Sequence, residues 1–374
     1  MSENSAVSAT IQKETICKNC SGKLQYAPGT THLKCPYCGT ENEINVSTEV
    51  VEELDFEKFA DEFKNESETH ETITIRCQGC GAKTTFNPNV VSESCPCCGS
   101  PLVVKDATST HVIKPKGILP FAIDQNKAMT DFSQWLSKLW FAPNKLKRYA
   151  SQQEKLTGLY IPYWSYNSET STEYTGERGV DYEETETYTE EVGGETQTNT
   201  RSVTRTSWSF VAGSVSNTFE DVLIVASNSL PRNYVEKLEP WDLKKLVAYN
   251  DSYLSGFRTE SYQENLSEGF EEAKKRMDRE IRTSICTDIG GDHQRINSTN
   301  TKYDNIKFKH LLLPVWISAY SYKDKIYRFM INGRTGDVQG ERPYSWIKIS
   351  LAIAAAVVVL AGIALIFLQG IHHR

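Results

Sequence analysis

The sequence lacks the short motifs with which most nucleotide- and metal-dependent enzymes act on their substrates. It contains no G-x-x-x-x-G-K-[ST] loop, no G-x-S-x-G elbow and no H-E-x-x-H pair. The sequence therefore lacks the motif residues on which ATPase, hydrolase and metalloprotease activities depend. Asp288, Asp292 and His293 lie beside Gly290-Gly291 and are more simply a polar loop than a catalytic group. We expect a protein that is not an enzyme.

The sequence also lacks an excess of positive charge. The formal net charge is −7, from 41 Lys+Arg and 48 Asp+Glu. Residues 1–110 hold 9 basic and 16 acidic residues, net −7, so residues 111–374 hold 32 of each (41 − 9 and 48 − 16). A phosphate-binding module presents a basic face. Because all the excess acid lies in the N-terminal part, the charge pattern argues against nucleic acid as a partner.

A secretory signal and scattered cysteines are missing as well. The start, MSENSAVSATIQKE, has neither a basic n-region nor an apolar h-region, so we expect the N-terminus to stay in the cytosol. Nine of the 10 cysteines lie within residues 17–98, and the remaining one, Cys286, is expected to be buried and inert. In a reducing cytosol, clustered cysteines are more often metal ligands than disulfides.

Eight of the clustered cysteines repeat one spacing, C-x2-C-x14-C-x2-C, at a constant offset of sixty residues. Two such CxxC turns, here called knuckles, bring four thiolates to one tetrahedral ion, and the interval between them is close to that of a zinc ribbon. We expect two structural Zn²⁺ ions, with iron as the soft-ligand alternative. The expected ligands are Cys17, Cys20, Cys35 and Cys38 in the first ribbon and Cys77, Cys80, Cys95 and Cys98 in the second.

The extra cysteine of the second ribbon, Cys97, takes the place of Tyr37 and is not expected to bind metal. Two redox-active CxxC pairs are the competing interpretation of the pattern. Four thiolates leave no open position for water, which argues against a catalytic zinc. Sensing by zinc release would need an exposed or strained thiolate, for which Cys97 is the only indication. His32 is expected at the surface.

One long apolar run stands near the C-terminus. Residues 351–368 read LAIAAAVVVLAGIALIFL, with no charge, and residues 347–350 extend the run to the ~20 residues that cross a bilayer. The alternative is a buried core helix, although such a helix usually shows a polar face. We therefore expect a transmembrane helix at 347–368.

Aromatic and basic residues precede this run. Tyr344 and Trp346 stand where interfacial aromatics would, and Arg342 and Lys348 lie on the same side. This arrangement predicts a tail-anchored, single-pass protein of the cell membrane, with its N-terminal body in the cytoplasm.

The expected architecture is two small β zinc ribbons, an α+β body domain and one C-terminal transmembrane helix. The expected bounds are 14–46 for the first ribbon, 47–73 for an acidic linker, 74–106 for the second ribbon, 111–343 for the body, 347–368 for the transmembrane helix and 369–374 for a short tail.

The acidic linker has two interpretations. Its apolar residues fall near helical spacing, which suits either a solvated connecting helix or a helix that docks into a basic or apolar groove. They are Val51, Leu54, Phe56, Phe59 and Phe63.

The body mixes both periodicities. Two stretches share an apolar-x-Pro-x-Trp pattern and are expected to be strands in which Pro162 and Pro314 mark an edge or a bulge. Between them, residues at about 168–210 alternate Thr, Glu and Tyr, which predicts a long hairpin turning at Gly193-Gly194, or else disorder. A strand, a tight turn at Asn332-Gly333 and a second strand are expected to lead to the membrane helix.

Two amphipathic helices are predicted in the body by apolar residues that recur every three or four positions. The first is stopped by Pro143 and lines one face with Met129, Phe132, Trp135, Leu136, Leu139 and Trp140. The second follows Tyr262 and carries Leu266, Phe270, Ala273, Met277, Ile281 and Ile285.

Several of these segments together resemble one family. The twin CxxC ribbons, ILPFAID, GLYIPYW, FEDVLIVAS, EPWDL and the closing YRFMINGRTGDVQGERPYSW before an apolar run are similar to bacterial zinc-ribbon membrane proteins. These carry TFIIB-type zinc-ribbon or primosomal-helicase-like labels and include the YdjG type. The resemblance implies a membrane-anchored scaffold, associated in some members with phage-shock-type envelope stress systems that bring a PspA-like protein and a flotillin-like partner to the membrane.

Two functions of different classes follow. In the first, the chain is a membrane-anchored adaptor whose ribbons extend into the cytosol and recruit a protein partner, within an envelope stress response. In the second, it is a membrane-tethered nucleic-acid-binding protein. The charge pattern favours the first.

Overall fold

The computed structural model describes residues 16–44, 51–62, 69–78, 81–85, 92–95, 97, 100–103, 107–141, 143, 156–192, 195–322, 325–341 and 344–372. The strands of the N-terminal part are β1 Gln25–Tyr26, β2 His32–Lys34, β3 Glu41–Glu43, β4 Leu54–Asp55, β5 Thr69–Arg76, β6 Lys83–Thr85, β7 Ser92–Ser94, β8 Pro101–Val103 and β9 Ala107–Ile113. Those of the body are β10 Gly117–Ile118, β11 Thr157–Val192, β12 Glu195–Val225, β13 Val247–Ala248, β14 Arg258–Thr259, β15 His293–Tyr322, β16 Lys325–Asn332 and β17 Val338–Gly340. The α-helices are α1 Phe56–Glu62, α2 Gln125–Lys138, α3 Arg232–Val235, α4 Leu266–Ile289 and α5 Trp346–His372.

Three very long antiparallel strands, in the order β12-β11-β15, form most of the main sheet of the body. The segment rich in Thr and Glu lies within β11 and β12, which pair from Tyr163 opposite Val225 to Val192 opposite Glu195. These strands begin and end well outside 168–210, because the apolar GLYIPYW run continues the same strand into the core. The proposed turn residues at 193–194 lie outside the described part of the chain.

A bulge crosses all three long strands at one level. The register of β11 shifts against β12 between Tyr166 and Ser168, and against β15 between Asn167 and Glu169. Asp221 and Asn305, on the two outer strands, both have a positive φ of 51°. The side-chain oxygen of Asn167 accepts the N–H of Asp221 at 2.7 Å. This bulge separates the fully buried end of the sheet from its more exposed continuation.

The sheet is buried on both faces near Pro162, which explains the nearly unbroken apolar run there. Neither Pro162 nor Pro314 lies on an edge strand, which corrects the expectation that they mark an edge or a bulge. Each instead lies at a position where the strand paired on one side gives way to another strand. β11 pairs with β14 as far as Tyr160 and with β12 from Tyr163 onwards. Likewise, β15 pairs with β10 as far as Leu312 and with β16 from Val315. A residue without an N–H fits such a gap in the ladder.

Helix α4 confirms the second predicted amphipathic helix and lies along the three long strands. Its first residue follows the cap Asn265, whose side chain accepts the N–H of Glu268 while the Glu268 carboxylate accepts the N–H of Asn265. The apolar stripe continues to Ile289, one turn beyond the expected face. Cys286 is half-buried rather than buried, because it sits beside this stripe.

Helix α2 carries most of the first predicted amphipathic face, but it ends at Lys138, before the expected stop at Pro143. Phe132 and Leu136 are buried, and the chain leaves the helix after Lys138. Leu139 remains in the core while Trp140 is 77% exposed. The expected face therefore ends one residue early, because the helix stops before the periodicity places Trp140 inside.

The turn after β16 is wider than the predicted two-residue turn at Asn332-Gly333. The N–H of Asn332 bonds to the carbonyl of Asp337, so four residues lie between these two positions. The left-handed residue is Gly336, with φ 83°. The Asn332 side chain accepts the N–H of Arg334 at 2.8 Å, which stabilises this wider loop.

The acidic linker is neither a solvated helix nor a free docking helix. Leu54 pairs with Phe308 of β15, and Phe56 and Phe59 pack into the core beneath α4. The Glu53 carboxylate accepts the Asn167 side-chain amide at 2.8 Å. Only the short α1 forms, because the preceding apolar residues are already bound to the body; Phe63 lies outside the described residues.

Both cysteine-rich segments dock on the body instead of extending away from it. In the first, the N–H of Tyr26 bonds to the carbonyl of Ser255 at 2.8 Å, and the N–H of Gly29 bonds to that of Phe121 at 2.8 Å. Its buried residues share a core with the face of β11 that carries Tyr160.

The second segment packs against the opposite face of the sheet. Its buried residues share a core with Leu159 and Ile161, which alternate with Tyr160 along β11. The N–H of Ser261 bonds to the carbonyl of Lys83 at 3.1 Å. Strand β5 starts at Thr69, inside the segment expected as linker, and pairs with β9 as far as Ile113. The two cysteine-rich segments therefore pack on opposite faces of the sheet.

Helix α5 extends away from the body, and most of its described side chains are exposed. Its window Trp346–Ile363 is apolar and is 0% buried within the part of the chain that the structure describes. The chain thus has one C-terminal helix long and apolar enough to span a membrane.

Candidate metal centre and interaction surface

The first cysteine cluster is built from two knuckles with the same backbone bonds. The N–H of Cys17 bonds to the carbonyl of Gly22, and the N–H of Cys35 bonds to that of Thr40. Gly39 closes its knuckle with φ 75°, which suits glycine. These turns point the four side chains inwards, and the short sheet of β1, β2 and β3 holds the knuckles together.

The four sulfur atoms converge on one point. Cys17, Cys20, Cys35 and Cys38 all place Sγ within 4.8 Å of one another. The Sγ atoms of Cys17 and Cys38 are 3.6 Å apart, and those of Cys20 and Cys35 are 3.4 Å apart. Zinc bonded tetrahedrally at ~2.3 Å would space its sulfur ligands by ~3.8 Å. The cluster therefore has nearly the dimensions of a four-thiolate metal site.

Two of these thiols differ strongly in acidity before any cation is considered. Hydrogen bonds from the Thr40 hydroxyl and N–H lower the pKa of Cys38 to about 6. At Cys20 the N–H of Gly22 lowers the pKa, but hydrogen bonding with Cys35 and Cys38 outweighs it and raises the pKa to about 12. A cation held by all four sulfur atoms would need both thiols deprotonated, so its binding would release protons.

His32 is not among these ligands. Its ring is 35% exposed and its Nε2 lies 4.0 Å from the Glu43 carboxylate. The surface position expected for His32 therefore fits the geometry of the first ribbon.

The second cysteine set is described in part. Cys77 and Cys95 are buried, and each closes a knuckle like those of the first ribbon, through the carbonyls of Ala82 and Ser100. Cys80 and Cys98, the other expected ligands, lie outside the described residues. The N–H of Cys95 bonds to the carbonyl five residues further on, as that of Cys35 does in the first ribbon.

Cys97 differs from its counterpart in the first ribbon. Tyr37 is 77% exposed, whereas Cys97 is 1% exposed. The carbonyl of Cys97 accepts the Nε–H of Arg328 from the body at 3.1 Å. The exposed thiolate that zinc release would need is therefore not found at Cys97, because this knuckle faces the body.

A two-stranded arm extends beyond the three-stranded sheet. β15 begins at His293 opposite Gly179, so from Val180 onwards β11 pairs with β12 alone. The thirteen pairs from Val180 to Val192 correspond to about 43 Å of strand. Residues 180–207 hold 7 acidic and 2 basic residues, net −5. The arm is thus a long, acidic pair of strands.

Polar contacts hold the base of the arm. Here lie the three residues considered as catalytic candidates. The Asp288 carboxylate accepts the Tyr174 hydroxyl, and the Asp292 carboxylate accepts the N–H of Asp181 at 2.9 Å. The His293 ring lies 3.1 Å from the Asp181 carboxylate. These side chains bind strands and helix to one another, as a polar loop would.

A cation on an aromatic ring adds to this base. The Arg295 guanidinium lies 3.7 Å from the centre of the Trp208 ring and also 3.4 Å from the Glu177 carboxylate. No motif marks Arg295 or Trp208 in the sequence. Trp208 falls within the expected hairpin, but only the pairing of β11 with both β12 and β15 brings it to Arg295.

Comparison with known proteins gives one similarity along most of the chain. The Bacillus subtilis (strain 168) protein named "Uncharacterized protein YdjG" is 26% identical over 337 residues, which cover 89% of this chain and 91% of that protein. No family model matches the chain, and no solved structure matches it. The similarity agrees with the resemblance to the YdjG type.

Proposed function

We propose that the protein is a membrane-anchored zinc-ribbon adaptor that recruits a cytosolic or membrane protein partner through its acidic arm. In this proposal it has no enzymatic activity, and its metal ions serve the fold. The resemblance to zinc-ribbon membrane proteins adds a setting in the envelope stress response.

Zinc is the ion that the first cluster fits. Four thiolates form a closed tetrahedral site, which suits a structural ion and leaves no position for a reacting water. Cys17 and Cys35 are 2% and 1% exposed, so an ion held there would stiffen the part of the ribbon that faces the body. We propose a second zinc ion on Cys77, Cys80, Cys95 and Cys98.

Helix α5 supplies the anchor. Side chains such as Val358 and Leu360 are 71% and 65% exposed, and a row of such residues in water is costly. Insertion into a bilayer removes this cost, and 27 residues of helix are enough to cross it. The proposed topology has the body in the cytoplasm and one span.

The observation that carries the adaptor function is the arm. It extends beyond the last paired residue of β15, and among the described residues no strand pairs with the other edge of β11 between Val180 and Val192. On this arm, Tyr182 is 48% exposed and Tyr188 is 41% exposed. An ordered, acidic ribbon that adds little to its own core is typical of a binding element, and its open edge can accept a strand.

The charge of the arm selects the kind of partner. A net charge of −5 over residues 180–207 repels phosphate, so the surface does not favour the alternative of a tethered nucleic-acid-binding protein. A protein with a basic strand or groove is the complementary partner. Among the partners that the resemblance implies, a PspA-like and a flotillin-like protein are the ones to examine first.

The test is affinity purification of the full chain from detergent, followed by direct binding of the recovered protein to the purified chain. In the arm-shortened variant, residues 182–205 are replaced by Asn-Gly between Asp181 and Thr206, which are already paired opposite each other. We expect one specific protein to bind the natural chain and not this variant.

Cys35→Ser is the matched comparison, since it perturbs a ribbon and leaves the arm intact. Loss of the partner with Cys35→Ser but not with the shortened arm would move the binding surface to the ribbons. Recovery of no specific partner with the natural chain would contradict the adaptor function altogether.

A further inference from the structure

The loop that ends α2 lies directly beside the start of α5, although about two hundred residues separate them in the chain. The N–H of Ser345 bonds to the carbonyl of Phe141 at 2.8 Å. The Lys348 ammonium bonds to the carbonyl of Trp140 at 3.1 Å. These two bonds fix Trp140 and Phe141 at the point where the apolar helix leaves the body.

The side chains at this point are aromatic and exposed. Trp140 is 77% exposed and Phe141 39%, while Tyr344 and Trp346 on the other segment are 55% and 80% exposed. A single exposed apolar residue needs no explanation, but four aromatic residues gathered at the end of one helix do. Trp and Tyr concentrate where a bilayer meets water, because their rings are apolar at one end and polar at the other.

The body holds this loop firmly. Leu136 and Leu139 are 4% and 7% exposed, so the residues just before Trp140 are anchored in the core. Lys138, in the last turn of α2, is exposed beside them. Lys138 and Lys348 together give the surface the positive charge that suits anionic lipid headgroups.

We propose that Trp140 and Phe141 form a second membrane contact, which inserts into the headgroup region beside α5 and fixes the orientation of the body on the bilayer. This inference rests on the proposed membrane anchoring by α5. A flexible tether would let the body turn freely, whereas a second contact beside the helix holds one side of the body against the lipid.

The test uses the full chain in vesicles of phosphatidylcholine and phosphatidylglycerol, with the photoreactive residue p-benzoylphenylalanine placed at one position at a time. Trp140→p-benzoylphenylalanine is the test variant. Ile353, which is 60% exposed on α5, is the position for the membrane control, and Phe210, 72% exposed on β12, is the position for the aqueous control. After irradiation, mass spectrometry of the peptides reports any covalent lipid adduct.

We expect lipid adducts at positions 140 and 353 and none at 210. An adduct at 353 without one at 140 overturns the second contact and leaves the anchor standing. Equal yields at 140 and 210 overturn it as well. A cross-link from 140 to a second chain in place of a lipid adduct overturns it too, because another copy then covers the loop. Absence of an adduct at 353 overturns the anchor itself, and the inference with it.

Discussion

The docking of the first ribbon on the body depends on one hydroxyl group that can be removed. Tyr26 is 4% exposed, and its hydroxyl lies 2.9 Å from the carbonyl of Thr30 in the ribbon and 3.2 Å from that of Phe121 in the body. Tyr26→Phe removes the donor, and the carbonyl of Phe121 keeps the bond from the N–H of Gly29. Loss of one hydrogen bond with its acceptor still paired costs about 0.5–1.5 kcal/mol, which is roughly a two- to thirteenfold larger undocked population.

Tyr26→Ala should have a larger effect, because the ring also packs edge-on against Tyr253 with centroids 5.1 Å apart. Removal of a buried aromatic ring costs about 3–5 kcal/mol. The four cysteine ligands remain in place in this variant. We therefore expect the ribbon to keep its metal while it separates from the body.

Hydrogen–deuterium exchange of the full chain in detergent measures this separation. The amide of Gly29, bonded to Phe121, and the amide of Tyr26 itself should exchange faster in both variants, and most in Tyr26→Ala. Metal content is measured in parallel. Tyr37→Ala, a change at a tyrosine of the same ribbon that is 77% exposed, is the matched control and should alter stability by no more than about 0.5 kcal/mol.

The reasoning is refuted if Tyr26→Ala leaves the exchange at Gly29 unchanged, since the contact would then not hold the ribbon. Loss of metal in Tyr26→Ala would refute its second part, because docking and metal binding would not be separable.

Three further predictions concern the second ribbon, α4 and the base of the arm. Cys97→Ala should leave two zinc ions per chain and Cys98→Ala should leave one, as measured by elemental analysis; equal losses in both would contradict the assigned ligands. Ile281→Ala, at a side chain that is 0% exposed on α4, should lower the free energy of unfolding by about 2–5 kcal/mol in a thermal melt, and an unchanged melt would mean that α4 does not pack on the sheet. Hydrogen bonding from Thr206 and then the contact with His293 hold the pKa of Asp181 below its usual range; stability from this carboxylate is therefore present above about pH 4 and is lost as the pH falls through the lowered pKa. The melting temperature of the natural chain should exceed that of Asp181→Asn at pH 6 and approach it in acid, whereas a constant difference would exclude the ionised carboxylate as the cause.

Patterns that depend on one buried face could be predicted from the sequence. The stripe on α4 repeats every three or four residues because only one side of the helix meets the sheet, and it marked Phe270 and Ile285 correctly. The first four cysteines could be placed together because each knuckle is a local turn whose geometry is set within about five residues.

Features that depend on which distant segments meet could not be predicted in this way. Pro162 was read as a sign of an edge or bulge, because its missing N–H is local while the change from β14 to β12 is not. The apolar residues of the linker predicted a helix, either solvated or docked into a groove, but not that Leu54 would pair with β15. The same holds for the ribbons, whose buried Tyr26 gave no sign of a partner in the body.

The arm can change length independently of the core, because it lies beyond the last residue of β11 that pairs with β15. In a two-stranded ribbon, an insertion of two residues in each strand keeps every side chain on its original face, whereas an insertion of one reverses them. The bulge holds the register of β11 through the bond from Asp221 to Asn167, on the side of the core. From Val180 onwards the arm does not pair with β15. Paired insertions there therefore change the length of the arm and leave the pairing of the body unchanged. The arm can thus be lengthened or shortened in steps of about 7 Å without repacking of the body.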